Sequence, residues 1–146
     1  METQKITSLS ELGQFAEETI NTIKQKNTAH VIGLQGDLGS GKTALTKEFA
    51  KVLGVKEEIT SPTFVVMKTY AVPNHEFIKT LVHIDAYRIE ENDEMRIIHF
   101  DELLKDSTNL IVIEWPEQTE ALIPSDALRM SIEIKEGETR EIKYGS

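Results

Sequence analysis

The chain is 146 residues long, with 39 % apolar and 28 % charged residues and no cysteine, so we expect a single ordered domain over residues 1–146 and exclude disulfides and thiolate metal sites. Its net charge of −9 repels a phosphate backbone, so we expect contact with RNA only through a partner protein. No apolar run approaches the ~20 residues that a membrane span requires, and residues 1–5 begin no apolar signal segment, so we expect a cytoplasmic protein without membrane contact.

The first part of the chain predicts a helix, a strand and a second helix. Apolar residues recur at helical spacing over residues 9–26, and Ser8 with a glutamate three residues later is typical of a capping box at the start of that helix. The short apolar run 31–34 predicts a strand. A second helix is predicted over residues 43–53, and Gly54 is a plausible end for it.

The rest of the chain predicts further strands and one more helix. The strands are predicted over residues 64–72, 77–84, 110–113, 128–135 and 139–144, and the helix over residues 94–105. The runs 31–34, 81–84 and 110–113 are too continuously apolar for strands with one face in water, so they predict a central sheet covered on both sides. The predicted fold class is therefore α/β, with a mainly parallel sheet flanked by helices and antiparallel hairpin additions.

The loop over residues 36–43, between a predicted strand and a predicted helix, carries the pattern G-x-x-x-x-G-K-[ST]. Its glycines let backbone N–H groups turn toward phosphate oxygens, and the following helix adds a favourable dipole. Lys42 can reach the β- and γ-phosphates, and Thr43 can complete a magnesium shell. The alternative is an ordinary glycine-rich turn with Lys42 in solvent. We predict a P-loop NTPase-like fold that binds ATP with Mg2+ through Leu38, Gly39, Ser40, Gly41, Lys42 and Thr43.

Two of the apolar strands end in a carboxylate. Asp85 follows residues 81–84 and Glu114 follows residues 110–113, so both could lie at the carboxyl edge of the sheet beside the phosphate loop. Either could hold magnesium or orient the attacking water, and the alternative for each is a capping or salt-bridging role. The candidate catalytic residues are Lys42, Asp85 and Glu114. The candidate metal ligands are Thr43, Asp85 and Glu114.

Four other residues near these motifs have both a functional and a structural interpretation. Thr63 is a candidate sensor of the γ-phosphate, although a loop threonine bonded to its own backbone is the commoner case. For Trp115 we expect a place in the core, and contact with the nucleotide is the alternative. His83 is expected to be a hydrogen-bonded core histidine rather than a catalytic one. Arg88 could supply positive charge to the transition state, and the alternative that we expect is a surface residue.

Four motifs in this order and spacing resemble the TsaE (YjeE) family of bacterial proteins, and they lie at residues 36–43, 61–64, 83–88 and 113–116. The resemblance covers nearly the whole chain. It implies a weak ATPase that works with the proteins TsaB and TsaD, which transfer a threonylcarbamoyl group to the adenosine beside the anticodon of certain tRNAs. It also implies that Glu114 approaches the metal, that Asp85 is needed for hydrolysis, and that Thr63, Trp115 and the backbone around Ile6 lie near the nucleotide.

Three other functions share a phosphate loop. A small-molecule kinase usually carries a lid with several arginines, and the arginines of this chain do not cluster in the sequence; they are Arg88, Arg96, Arg129 and Arg140. A GTPase needs an Asn-Lys-x-Asp stretch to recognise guanine, and the sequence has none. A nucleotide-dependent binding switch with little turnover stays open as an alternative.

Overall fold

The computed structural model of the chain describes residues 2–60, 67–87 and 99–145, and the strands in these residues form one seven-stranded sheet. The strands are β1 (Glu2–Ile6), β2 (His30–Gln35), β3 (Met67–Ala71), β4 (Thr80–Asp85), β5 (Asn109–Glu114), β6 (Leu128–Ile134) and β7 (Arg140–Gly145). The helices in these residues are α1 (Leu9–Thr22), α2 (Lys42–Val52), α3 (Phe100–Lys105) and a 3-10 helix (Pro116–Leu122). Among them, none has the length and apolarity that crossing a membrane would need.

The sheet has a parallel centre and antiparallel edges. The strand order is β1-β7-β6-β2-β5-β4-β3. Strand β2 runs parallel to β5 and β6, and β5 runs parallel to β4, whereas β3, β7 and β1 pair with their neighbours antiparallel. The predicted α/β class with a parallel core and hairpin additions is confirmed.

Successive residues of the central strands pack into two different cores, because side chains alternate between the faces of a sheet. One core contains Ile32, Leu34, Leu81, Leu110 and Val112. The other contains Val31, Val82, Ile84, Ile111 and Ile113. Helices α1 and α2 contribute Phe15 and Phe49 to the first core, and α3 contributes Phe100 to the second. Both faces are therefore covered, as the continuous apolar runs predict.

The ends of the first two helices have specific hydrogen bonds. The Ser8 side chain accepts from the Glu11 N–H at 3.1 Å, as predicted for a capping box. The Glu11 carboxylate, however, accepts from the N–H of Thr7 at 2.7 Å and not from that of Ser8. Helix α2 ends in a Schellman motif, because Gly54 has a φ of +75° and the N–H groups of residues 54 and 55 bond back to carbonyls of the last turn.

Several predicted boundaries differ from the structure. Helix α1 ends at Thr22 rather than at residue 26. Strand β4 begins at Thr80 rather than at residue 77, because the His75 Nδ1 accepts from the N–H groups of Phe77 and Ile78, at 3.2 and 3.0 Å. Strand β1 and the 3-10 helix were not predicted. The predicted strand at residues 64–66 and helix at residues 94–98 lie outside the described residues.

Candidate functional site

The glycine-rich loop joins the carboxyl end of β2 to the first turn of α2, which begins at Lys42. Two features hold it in place. A Cβ on Gly36 would lie 2.6 Å from both the Ile132 carbonyl oxygen and the Ser40 Oγ, so only glycine fits there. Arg140 Nε, on β7, donates to the Ser40 carbonyl at 3.0 Å. The loop is thus braced by β6 and β7, which the sequence pattern does not indicate.

The Lys42 side chain is buried within the site. Its Nζ donates to the carbonyl oxygens of Gly36 and of Asp37, the latter at 3.2 Å, and lies 3.9 Å from the centre of the Trp115 ring. Burial lowers the pKa of Lys42, and the nearby carboxylates, Glu114 foremost, oppose that shift. The ammonium group is therefore satisfied by loop carbonyls and by an aromatic face, which an incoming phosphate would have to replace.

Trp115 lies over Lys42 because the chain turns sharply after β5. Its backbone adopts φ 60° and ψ 50°, a conformation that costs roughly 1–2 kcal/mol for a residue other than glycine. The Trp115 N–H still bonds to the Leu34 carbonyl at 3.1 Å. Pro116 packs over β2, where a Cβ on Gly33 would lie 3.2 Å from the Pro116 Cγ. The Trp115 ring packs against the second core cluster and also contacts the site, so the core interpretation describes only part of its environment.

Glu114 and Asp85 end neighbouring parallel strands and are direct partners in the register of β4 and β5. Glu114 is buried, with its two carboxylate oxygens 3.3 and 3.4 Å from the Thr43 Oγ1. Asp85 is half-buried, and its Oδ1 accepts from the Tyr87 N–H at 3.0 Å. The structure thus brings Glu114 to the hydroxyl of Thr43 at the end of the glycine-rich loop, whereas one oxygen of Asp85 holds the turn after β4.

Glu114 also contacts His83, and the sequence does not predict this contact. The His83 Nε2 lies 2.5 Å from the Glu114 Oε2, and the His83 side chain is fully buried. The expectation of a hydrogen-bonded core histidine agrees with this contact, but its partner was not predicted. The available signal was a polar residue inside an apolar strand, two positions before Asp85 and therefore on the same face.

A cavity of about 190 Å³ lies beside the glycine-rich loop, between α1 and the hairpin β6–β7. Its wall includes Ile6, Leu9, Leu12, Ala44, Arg140 and Ile142, next to Ser40 and Gly41 of the loop. The structure therefore places Ile6, which carries no motif, beside the glycine-rich loop.

The residues around Thr43 fit Mg2+ bound together with a nucleotide. A threonine hydroxyl and a carboxylate are the oxygen ligands that Mg2+ prefers, and this ion usually keeps several waters and takes only one or two protein carboxylates besides phosphate oxygens. Within the described parts of the chain, no group of three or more His, Asp or Glu side chains could hold a metal ion.

The sequence is similar to known proteins along nearly all of its length. The family described as "Threonylcarbamoyl adenosine biosynthesis protein TsaE" matches residues 6–142. The chain belongs to the TsaE family. The TsaE-family protein of Streptomyces coelicolor, named tRNA threonylcarbamoyladenosine biosynthesis protein TsaE, is 39 % identical over 112 residues, which are 76 % of this chain and 73 % of that protein. The protein of the same name from Rickettsia bellii is 32 % identical over 136 residues, which are 92 % of this chain and 88 % of that one.

A solved structure supports the assignment of this chain to the TsaE family by its shape. The crystal structure of Bacillus subtilis YdiB aligns with a TM-score of 0.72 and 28 % identity, over 98 % of this chain and 83 % of that one. The predicted family is confirmed. Two residues of the TsaE-like motifs, Thr63 and Arg88, lie outside the described residues, so their predicted roles stay predictions.

Proposed function

We propose that this chain is an ATPase that binds Mg2+ with ATP and supports the transfer of a threonylcarbamoyl group to the adenosine beside the anticodon of tRNA, together with TsaB and TsaD. The observation that carries the ATPase part is the approach of the buried Glu114 carboxylate to the hydroxyl of Thr43, at 3.3 Å, one residue after the loop lysine Lys42. The names of the relatives from S. coelicolor and R. bellii support the tRNA part.

The local architecture supports a P-loop NTPase-like fold. A strand, the G-x-x-x-x-G-K-[ST] loop and a helix follow one another in β2, residues 36–43 and α2. This unit lies at the carboxyl edge of parallel strands, where α/β proteins bind their ligands. The loop amides and the amino end of α2 then bind the phosphates, and the amino group of Lys42 leaves the loop carbonyls for the β- and γ-phosphates.

The purine has a fitting place beside the loop. The cavity of about 190 Å³ has mainly apolar walls, including Ile6, Leu12 and Ile142, and it touches the loop at Ser40 and Gly41. An adenine ring has large apolar faces, which suit such walls. The base therefore lies between α1 and the hairpin β6–β7, and the phosphates extend along the loop toward Lys42 and Trp115.

The two carboxylates divide the remaining work. Thr43 and Glu114 hold the metal, Thr43 through its hydroxyl and Glu114 directly or through a water. Bound Mg2+ supplies positive charge against the charge that develops on the phosphate oxygens. Asp85 ends the neighbouring strand, and its Oδ1 is fixed by the Tyr87 N–H. Its second oxygen orients the water that attacks the γ-phosphate.

The charge of the chain determines how it takes part in tRNA modification. A net charge of −9 disfavours direct binding to RNA. The tRNA is therefore bound by the partner proteins, and this chain contributes nucleotide turnover in the cytoplasm.

Phosphate release from ATP labelled at the γ-position tests the proposal, with the isolated chain and with TsaB and TsaD added. We expect slow release alone and faster release with the partners, and the label only in free phosphate. Label transferred to a small molecule would instead support a kinase. Nucleotide-dependent association with TsaB and TsaD without turnover would support the binding switch.

The variant Lys42→Ala separates the site from the fold. We expect it to lose ATP binding, because it loses the only lysine of the loop. Binding can be followed by the fluorescence of Trp115, the only tryptophan of the chain, whose ring contacts Lys42. The matched control is Lys47→Ala, an exposed lysine of the same helix, which should bind like the wild type. Unchanged ATP affinity in Lys42→Ala would refute the site.

A further inference from the structure

Glu114 is a carboxylate buried at the end of a strand whose other side chains are all buried as well. Burying a carboxylate is costly unless hydrogen-bond donors replace the lost water. In the described part of the chain, Glu114 has two side-chain donors, namely His83 at 2.5 Å and the Thr43 hydroxyl at 3.3–3.4 Å. The short contact with His83 is therefore the main one that compensates its burial.

The two oxygens of Glu114 have different surroundings. Both lie at similar distances from the Thr43 Oγ1, 3.3 Å for Oε2 and 3.4 Å for Oε1, but only Oε2 also accepts from the His83 Nε2. A donor bonded to one oxygen fixes the rotation of the whole carboxylate, because the group is planar. The bond from His83 thus holds the carboxylate where both of its oxygens stay beside the Thr43 hydroxyl, and it leaves Oε1 without a bond to His83.

The environment of His83 also determines which ring nitrogen carries the proton. Its Nδ1 is buried and has no hydrogen-bond partner among the described residues. A proton on Nδ1 would be an unsatisfied buried donor, which costs more than an unpaired acceptor in an apolar strand. A proton on Nε2 meets both conditions, because that N–H donates to Glu114.

We propose that His83 is a positioning residue: its Nε2–H holds the buried Glu114 carboxylate beside the Thr43 hydroxyl, with Oε1 left for the Mg2+ that accompanies the nucleotide. This inference rests on the proposed ATP and Mg2+ binding. It assigns His83 no contact with the nucleotide and no transfer of a proton. It predicts that His83 affects the Mg2+-dependent part of ATP binding and leaves the Mg2+-independent part alone.

The experiment measures the dissociation constant of ATP in EDTA and in excess Mg2+, for the full chain, and takes the ratio as the gain in affinity from Mg2+. Three variants separate the effects. His83→Gln places an amide N–H near the position of Nε2, His83→Asn has the same group but reaches only the position of Nδ1, and His83→Leu fills similar space without a donor. His30→Leu is the matched control, because His30 is also buried but lies at the first residue of β2, at the end of that strand away from the glycine-rich loop.

We expect the Asn and Leu variants to reduce the gain from Mg2+ by about 10- to 100-fold, as the loss of an outer-shell partner of a metal ligand does. The Gln variant should restore most of it, and all variants should bind ATP in EDTA like the wild type. In a Glu114→Ala background, His83→Leu should have no further effect, because its action passes through the carboxylate. Thermal unfolding checks that each variant is folded.

The outcomes distinguish this inference from the proposed function. Equal losses in the Gln, Asn and Leu variants would mean that His83 contributes only packing. An undiminished gain from Mg2+ in the Asn or Leu variant would mean that Glu114 keeps its position without a bond from His83. Either result overturns the positioning role of His83 and leaves the proposed ATP binding intact. A wild-type chain without any gain from Mg2+ would overturn the proposed function itself. If the Leu variant does not fold, the comparison of Gln with Asn decides alone. Imidazole NMR of the metal-free chain gives an independent check, since a proton on the Nδ1 of His83 would contradict the assignment.

Discussion

His30 and His83 are both buried histidines of the parallel strands, but they lie at opposite ends of the sheet. His30 begins β2 at the amino edge, with its ring 5.7 Å from that of Phe77. His83 lies near the carboxyl end of β4 and is bonded to Glu114. Burial and residue type are the same in both cases, so neither identifies a functional residue. The two histidines differ in the edge of the sheet at which they lie and in their hydrogen-bond partner.

The largest expected effect is at the carboxyl edge. The variant Glu114→Ala should reduce ATP hydrolysis on the order of 10²-fold or more, because it removes a proposed ligand of the Mg2+ that would stabilise charge in the transition state. Phosphate release in the presence of the partner proteins measures this. Glu136→Ala, in the exposed turn between β6 and β7, is the control and should hydrolyse ATP like the wild type. Near-normal turnover in Glu114→Ala would mean that the carboxyl edge of the sheet contributes no more to ATP hydrolysis than the amino edge does.

A smaller effect is expected in the middle of the sheet, between the two histidines. Ile111 of β5 has no exposed surface, so Ile111→Val should lower the free energy of unfolding by about 0.5–1.5 kcal/mol through the deleted methylene group. Denaturant unfolding measures the change. Hydrolysis by the folded variant should stay unchanged, because the middle of β5 positions no reacting group. A large loss of activity at full folding would show that the site depends on the packing of this core.

The smallest effect is expected at the amino edge. Burial, with a further contribution from Lys26, lowers the pKa of His30. The unfolded chain therefore binds the proton more readily than the folded one, so stability is present above the ordinary histidine pKa of about 6.5 and decreases as the pH falls from there toward the lowered pKa.

Unfolding at a series of pH values between 5 and 8 checks this expectation, and His30→Leu is the comparison. The variant should lose the part of the pH dependence that the wild type shows below neutrality. Stability of the wild type that is constant or increases on acidification in this range would contradict the lowered pKa. ATP hydrolysis by His30→Leu should match the wild type, since His30 lies away from the nucleotide site.

The sequence predicts much of the fold because local patterns coincide with the tertiary environment. The runs in β2, β4 and β5 are continuously apolar and are buried on both faces. The end of α2 is predicted by Gly54, which adopts the left-handed conformation that glycine favours. Strand β1 escapes prediction for the opposite reason, because four of its five residues are exposed and it pairs only with β7 at the edge. An edge strand of this kind has no apolar alternation to detect.

The sequence by itself determined the glycine-rich loop, the family and the identity of the acidic residues, because these depend on residue type and on spacing along the chain. Residue type and strand position left Asp85 and Glu114 equivalent, and only the resemblance to the TsaE family gave them different roles. Their different surroundings come from the tertiary structure alone, since the partners of Glu114 come from α2 and β4, 71 and 31 residues away. The same holds for Lys42 and Trp115, which meet because a strained turn after β5 returns the ring to the loop. Contacts between distant segments depend on strand order and register, and a local sequence pattern specifies neither of them.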